Sequence, residues 1–252
     1  MKKIILILFF LFPSFIFAQI HSGEIIYKVK FLDKSKNKTD TIIPQNSTEK
    51  EAEQHLSDIF SKIDRAIPYL QFDLFFNQTE ALFQHQENIK IDNGPNLDLG
   101  ISATGGRGVF YSNLPKDQNI HQKDYLKLVR VISKISDIKW KIKNEFKTIS
   151  GYKCQKAQAN IYVSTAHPEK KITVWFTKDL PFSFGPLGMA GLPGMILGVE
   201  RLKLFIYADE IKLSKKDKKI TPPKKGEKVT IDYIKEVDKD MRKNPLKYIK
   251  HE

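Results

Sequence analysis

The chain has 252 residues, 42 Lys and Arg against 29 Asp and Glu, and a formal charge of +13. With 41% hydrophobic and 28% charged residues it reads as globular, which excludes a disordered or collagen-like chain. A single Cys excludes a disulfide within the chain and a Cys-cluster metal site.

Lys2 and Lys3 precede an apolar run from Ile4 to Phe12, Pro13-Ser14 interrupts it before Phe15-Ile16-Phe17, and Ala18-Gln19 offers a cleavage point. This pattern predicts a secretory signal peptide over 1–18. A membrane-spanning helix needs about 20 apolar residues, more than this run supplies. The expectation is an exported protein of the periplasm or cell envelope, soluble after cleavage. There its positive charge points to anionic lipid, lipopolysaccharide or acidic glycan and not to nucleic acid. No Pro/Ser-rich linker divides residues 19–252, which read as a single domain.

From residue 23 to 32 Ile25, Tyr27, Val29 and Phe31 alternate with Lys28 and Lys30, the pattern of a half-buried strand. Residues 33–46 are polar and without pattern. Thr48-x-x-Glu51 forms a capping box, and Leu56, Ile59, Phe60, Ile63 and Ile67 follow at helical spacing up to Pro68, so a helix is expected over 48–67. Strands are expected at 69–77 and 79–87, then a Gly/Asn-rich loop at 92–108, then strands at 106–113 and 124–132. Over 138–148 Ile138, Trp140, Ile142 and Phe146 oppose a row of Lys and Glu, again a strand. Beyond Gly151 the apolar parity switches between Cys154 and Ala157, which predicts a β-bulge near Gln155-Lys156. Further strands are expected at 171–177, 195–200 and 202–213. Residues 212–228 hold eight Lys with Pro222-Pro223 and read as a solvated loop; 230–241 read as a short C-terminal helix. Many short strands without a βαβ rhythm predict a mainly β fold. The expected form is a single antiparallel, strongly curved sheet, a half-barrel of the lipoprotein-carrier type, with helix 48–67 against its concave side.

Catalytic and metal chemistry is hard to find. The six His form no zinc-binding spacing, and there is no nucleophile elbow. Cys154 sits in an apolar-patterned strand, which favours an inert thiol. Gly105-Gly106-Arg107-Gly108 has the makings of an anion-binding nest, but without a strand–loop–helix context it reads as a hairpin loop. No catalytic residue, cofactor or metal is assigned, and the expectation is a protein that is not an enzyme.

Residues 191–196, Gly-Leu-Pro-Gly-Met-Ile, resemble the signature of the GLPGLI family of exported Bacteroidota proteins, with Met at the fifth position. Gly185-Pro186, Trp175-Phe176-Thr177 and Pro181 match its surroundings, as do Trp140, Glu145, Lys147, Ile149 and the run from Gly151 to Ala157. The resemblance covers about 138–200 and implies a family without implying an activity. Read as residues alone, the segment is either a buried corner between strands or an apolar lip over a groove. On the second reading Trp175, Gly185, Pro186, Gly191, Leu192, Pro193, Gly194 and Met195 bind a lipid or apolar peptide between sheet and helix. In that case Leu192→Asp abolishes ligand uptake and leaves the fold; unfolding would favour the corner. The alternatives are an accessory partner of an outer-membrane receptor or transporter, and an envelope hydrolase that convergent polar groups in one pocket would reveal.

Overall fold

The computed structural model describes residues 20–32, 47–86, 97–162, 170–201 and 203–248. The expected signal peptide and the polar stretch 33–46 lie outside them, as does the side chain of Thr48. The strands are β1 (Ser22–Phe31), β2 (Gln71–Asn77), β3 (Glu80–His85), β4 (Val109–Asn113), β5 (Gln118–Tyr125), β6 (Lys127–Ser133), β7 (Lys141–Ile149), β8 (Tyr152–Ile161), β9 (Lys170–Thr177), β10 (Met195–Arg201), β11 (Leu204–Ser214) and β12 (Glu227–Thr230). The helices are α1 (Ser47–Ala66), α2 (Asp98–Thr104) and α3 (Ile231–Lys243).

Alternation in β1 buries Ile25, Tyr27 and Val29, and a strand so buried is suited to the middle of a sheet. It pairs with β2 on one side and β11 on the other, and so joins two meanders, β2 to β6 and β7 to β11. All twelve strands form one sheet in the order β12-β6-β5-β4-β3-β2-β1-β11-β10-β9-β8-β7. Its outer strands, β12 and β7, do not pair with each other, so the sheet is not closed.

The sheet is mixed, which corrects the all-antiparallel expectation: β12 runs parallel to β6. Parallel strands need a crossover, and the Lys-rich stretch after β11 supplies it. It is not a freely solvated loop. Ser22 Oγ donates to Lys216 O at 2.6 Å, Asn77 Nδ2 to Lys218 O at 2.9 Å and Gln122 Nε2 to Lys225 O at 2.6 Å. Ile220 is buried against Tyr111 and Ile120. The stretch is thus laid over the sheet, its backbone bonded and its lysines outward.

Other differences have local causes. The strand expected over 124–132 is two strands, because Leu126 at φ 55° turns the chain between β5 and β6. α2 interrupts the expected 92–108 loop. In the β7–β8 ladder four steps on β7, from Ile142 to Phe146, oppose two on β8, so the irregularity falls beside Gln155-Lys156 as expected but the extra residues lie on β7. As an outer strand, β7 leaves Ile142 and Phe146 about half exposed, at 47% and 49%. α1 forms as expected but is not laid along the sheet: Leu56 and Phe60 are 55% and 60% exposed, and burial begins at Ala66 and Ile67.

The core is filled by the segment between β9 and β10. Met195 N–H donates to Leu180 O at 3.0 Å, Ile196 N–H to Phe184 O at 2.8 Å and Gly191 N–H to Ser183 O at 3.0 Å, folding residues 180–196 back on themselves. The fold turns Phe182, Phe184, Leu192 and Met195 into the core. Phe182 packs on Phe76 of β2 with ring centroids 4.7 Å apart, and residues 186–188 reach β3, β4 and β5. Tyr27 Oη donates to Ile196 O at 2.6 Å and Trp140 Nε1 to Ala190 O at 2.9 Å, fastening the segment from both sides. Gly194 has φ 152°, and a Cβ there would stand 2.0 Å from Thr177 O, so only glycine fits.

Leu192 is 2% exposed. Leu192→Asp is therefore expected to lower unfolding free energy by about 4 kcal/mol or more, since a cavity and an unpaired carboxylate arise together. Denaturant unfolding of the purified variant checks this; a native-like midpoint would refute the core placement. Gly194→Ala is expected to be destabilised in the same assay by about 1–3 kcal/mol through backbone strain.

Candidate functional site

Alternation along β5 turns His121, Lys123 and Tyr125 to one side, toward a cavity of about 480 Å³. The loop after α2 contributes Gly105 and Arg107, β10 ends there at Arg201, and β8 runs out there at Ile161 and Tyr162. α3 closes it. Thr230 caps this helix by accepting from Tyr233 N–H at 3.2 Å, and the spacing of four puts Ile234 and Asp238 on one face. Ile234 is buried against Val129 and Val131 of β6, which fixes Asp238 over the cavity.

Asp238 accepts from both Tyr125 Oη and, at 2.7 Å, Tyr162 Oη. β5 is third and β8 eleventh in the sheet order, so one carboxylate ties together strands far apart in the ladder. Burial, and then the bond to Asp238, raise both tyrosine pKa values above the usual range, so the hydroxyls stay protonated donors. His121 lies flat on Phe110 with centroids 3.8 Å apart, and its Nε2–H donates to Arg107 O at 2.9 Å. Burial outweighs that bond and lowers its pKa to about 4, so the ring is neutral at physiological pH.

Three cations surround the space. Arg107 is held by Ser102 Oγ at 3.1 Å and Asp98 O at 3.3 Å. Lys123, its pKa lowered by burial and partly restored by Asp238, stands 5.0 Å from the Tyr125 ring centre. Arg201 is desolvated by burial, and its Nε is buried without a hydrogen-bond partner among the described residues. Its guanidinium lies against Gly105, which has φ 76°; a Cβ there would stand 2.8 Å from Cζ. The cavity thus offers cationic donors, phenol hydroxyls and aromatic surface, a combination suited to a polar ligand with acceptor groups. Among the described residues no cluster of His, Cys, Asp and Glu has the build of a metal site. Cys154 lies in the core, away from the cavity, and burial pushes its thiol up to about 12.

None of the eight residues expected to bind a ligand lines this cavity. Trp175 is 6% exposed; its Nε1 donates to Glu200 Oε1 at 2.8 Å, and Lys147 Nζ stands 4.1 Å from its ring centre. Gly185, Pro186, Leu192, Gly194 and Met195 are buried in the central segment, while Gly191 and Pro193 face solvent. Leu187 and Met189 of the same segment do reach the cavity wall. Lys123, Tyr125, Tyr162, Arg201 and Asp238 were not singled out by sequence. The one usable signal was Arg107 in its glycine-rich loop.

The family model for the N-glycanase peptide, N-terminal domain, matches residues 84–238. All residues lining the cavity, from Ser102 to Asp238, fall inside that range. Among solved structures, PNGF-II in its C2 crystal form aligns with a TM-score of 0.50 at 17% identity, covering 89% of this chain and 33% of that one. A second crystal form of PNGF-II aligns with a TM-score of 0.49 at the same identity and coverage. The chain spans about a third of the length of these neighbours, and the likeness is one of fold. No curated protein matches the sequence. The family match corrects the assignment to the GLPGLI family made from residues 138–200. It also overturns both functional readings offered for the chain, the carrier of a lipid or apolar peptide and the accessory partner of an outer-membrane receptor or transporter. The Gly191–Ile196 turn resembles that signature, while its apolar side chains are spent on the core.

His121 generates a pH prediction. The folded protein keeps it neutral down to about pH 4, whereas its ordinary pKa is 6.5. Its contribution to stability is therefore constant above pH 6.5 and lost as the pH falls from there to about 4. His121→Gln is expected to lose less stability than the parent between pH 7 and 4.5. Urea midpoints measured in parallel would disprove this if the two slopes coincide.

Proposed function

The chain belongs to the family of N-glycanase N-terminal domains, and we propose that it binds the glycan of glycoproteins in the cavity beneath α3 without cleaving it. The observation that carries this reading is the enclosure of the whole cavity within the family-matched residues 84–238. A volume of about 480 Å³ falls among small-ligand sites, which run from about 300 to 1,000 Å³. Tyrosine rings supply flat apolar surface for the C–H face of a sugar, while hydroxyls and cations supply donors for its oxygens. The shared Asp238 supports a sheet curved enough to form a bowl around the ligand.

Binding is favoured over cleavage by the state of the acids. Glycoside hydrolysis uses two carboxyl groups facing each other across the bond, and hydrolysis of a sugar–asparagine amide needs an acid or base free to activate water. Of the two Asp lining the cavity, Asp238 is taken up by two tyrosine hydroxyls and Asp124 is exposed. Export through the apolar segment 1–18 belongs to the same proposal, because it would bring the protein to extracytoplasmic glycoproteins.

Titration calorimetry of the full chain with an N-glycopeptide, its released oligosaccharide and the bare peptide tests the reading. Saturable heat is expected with the first two and none with the third, and mass spectrometry of the glycopeptide afterwards should show it intact. Absence of binding to either glycan form would end the proposal; release of the glycan would end its non-catalytic half.

A further inference from the structure

The glycan-binding reading leaves open which sugars are selected, and the distribution of charge in the cavity narrows the choice. A buried cationic donor without an acceptor is unfavourable unless something supplies one. Arg201 Nε is such a donor. Its placement is built: the positive φ of Gly105 and the absence of a Cβ let the guanidinium lie against the loop. Lys123 faces the same space from β5, and neither it nor Arg201 forms an ion pair among the described residues. Neither acid forms an ion pair with these groups: Asp238 favours the Lys123 charge from a distance but is bonded to its two phenols, and Asp124 is exposed.

Resting on that glycan-binding reading, we propose that the cavity selects sugars carrying an oxyanion, a carboxylate or a sulfate ester, which Arg201 and Lys123 bind. The planar guanidinium matches two anionic oxygens at once, while the lysine acts as a point charge. Tyr125 and Tyr162 keep Asp238 occupied, so the one carboxylate held over the cavity repels an incoming anion less than a bare one would.

The test uses three N-glycopeptides that differ only at the terminal sugar: neutral, sialylated and sulfated. Each is titrated into the full chain and into Arg201→Gln and Lys123→Gln, with thermal unfolding confirming that each variant is folded. Binding of one acidic form at least about tenfold tighter than the neutral form is expected, and which one identifies the source of the oxyanion. In both variants the acidic-to-neutral ratio should fall toward one. Should Arg201→Gln fail to fold, the ratio in Lys123→Gln decides. Equal affinity for neutral and acidic forms in the parent protein, or a preference that survives both substitutions, overturns the inference and leaves the glycan-binding reading standing. No binding of any of the three overturns both.

Discussion

Residues 180–196, folded back on themselves and laid between the two meanders, hold this structure together. Backbone bonds from Met195 to Leu180 and from Ile196 to Phe184 close the segment, and the Tyr27 hydroxyl fastens it to the central strand. A twelve-stranded open sheet has two faces to cover, and the helices cover little of it; α1 leaves Leu56 and Phe60 in solvent. The segment does much of that work. Phe182, Phe184, Leu192 and Met195 replace what a covering helix layer would supply in other sheet proteins, at roughly 1.5–3 kcal/mol for each large side chain fully buried. The Gly-Leu-Pro-Gly pattern follows from that task. Pro193 and Gly194, at a positive φ open to glycine, make a turn so tight that a side chain at 194 would meet Thr177 O.

The cavity depends on the same arrangement. Leu187 and Met189, carried across the sheet by the segment, form its floor, and the Lys-rich crossover returns the chain to β6 so that α3 becomes its roof. Asp238 then draws Tyr125 and Tyr162 together from distant strands. The site is polar because its walls come from strand ends and an outer region of the sheet, where side chains are not required for packing. Lys123 and Arg201 are partly desolvated, which raises the value of an anionic partner to them.

Much of the local structure is legible in the chain. Alternation marks β1, apolar runs with a dominant face mark β2, β9 and β11, and helical spacing with a Thr230 cap marks α3, because in each case at least one face packs against the core. β5 was hidden for the complementary reason. Its sequence, QNIHQKDY, shows no apolar alternation, since the inward face carries the polar groups of the cavity. The Gly191–Ile196 motif shows the limit of reading by resemblance. Its glycines and proline dictate a turn, and a turn of that shape does not say whether its apolar residues meet a ligand or the core.

The sequence by itself determined most of the strands with an apolar face, the helices α1 and α3, that the protein is mainly β, and that Cys154 is buried. These depend on the pattern of neighbours within a few residues. Only the tertiary structure decided the parallel return of β12, the route of the central segment and the convergence of Lys123, Tyr125, Tyr162, Arg201 and Asp238. Those depend on pairings between residues up to more than a hundred positions apart, such as the 113 that separate Tyr125 from Asp238. Burial on one face leaves a periodic trace in a chain, whereas a meeting of side chains from separate elements leaves none.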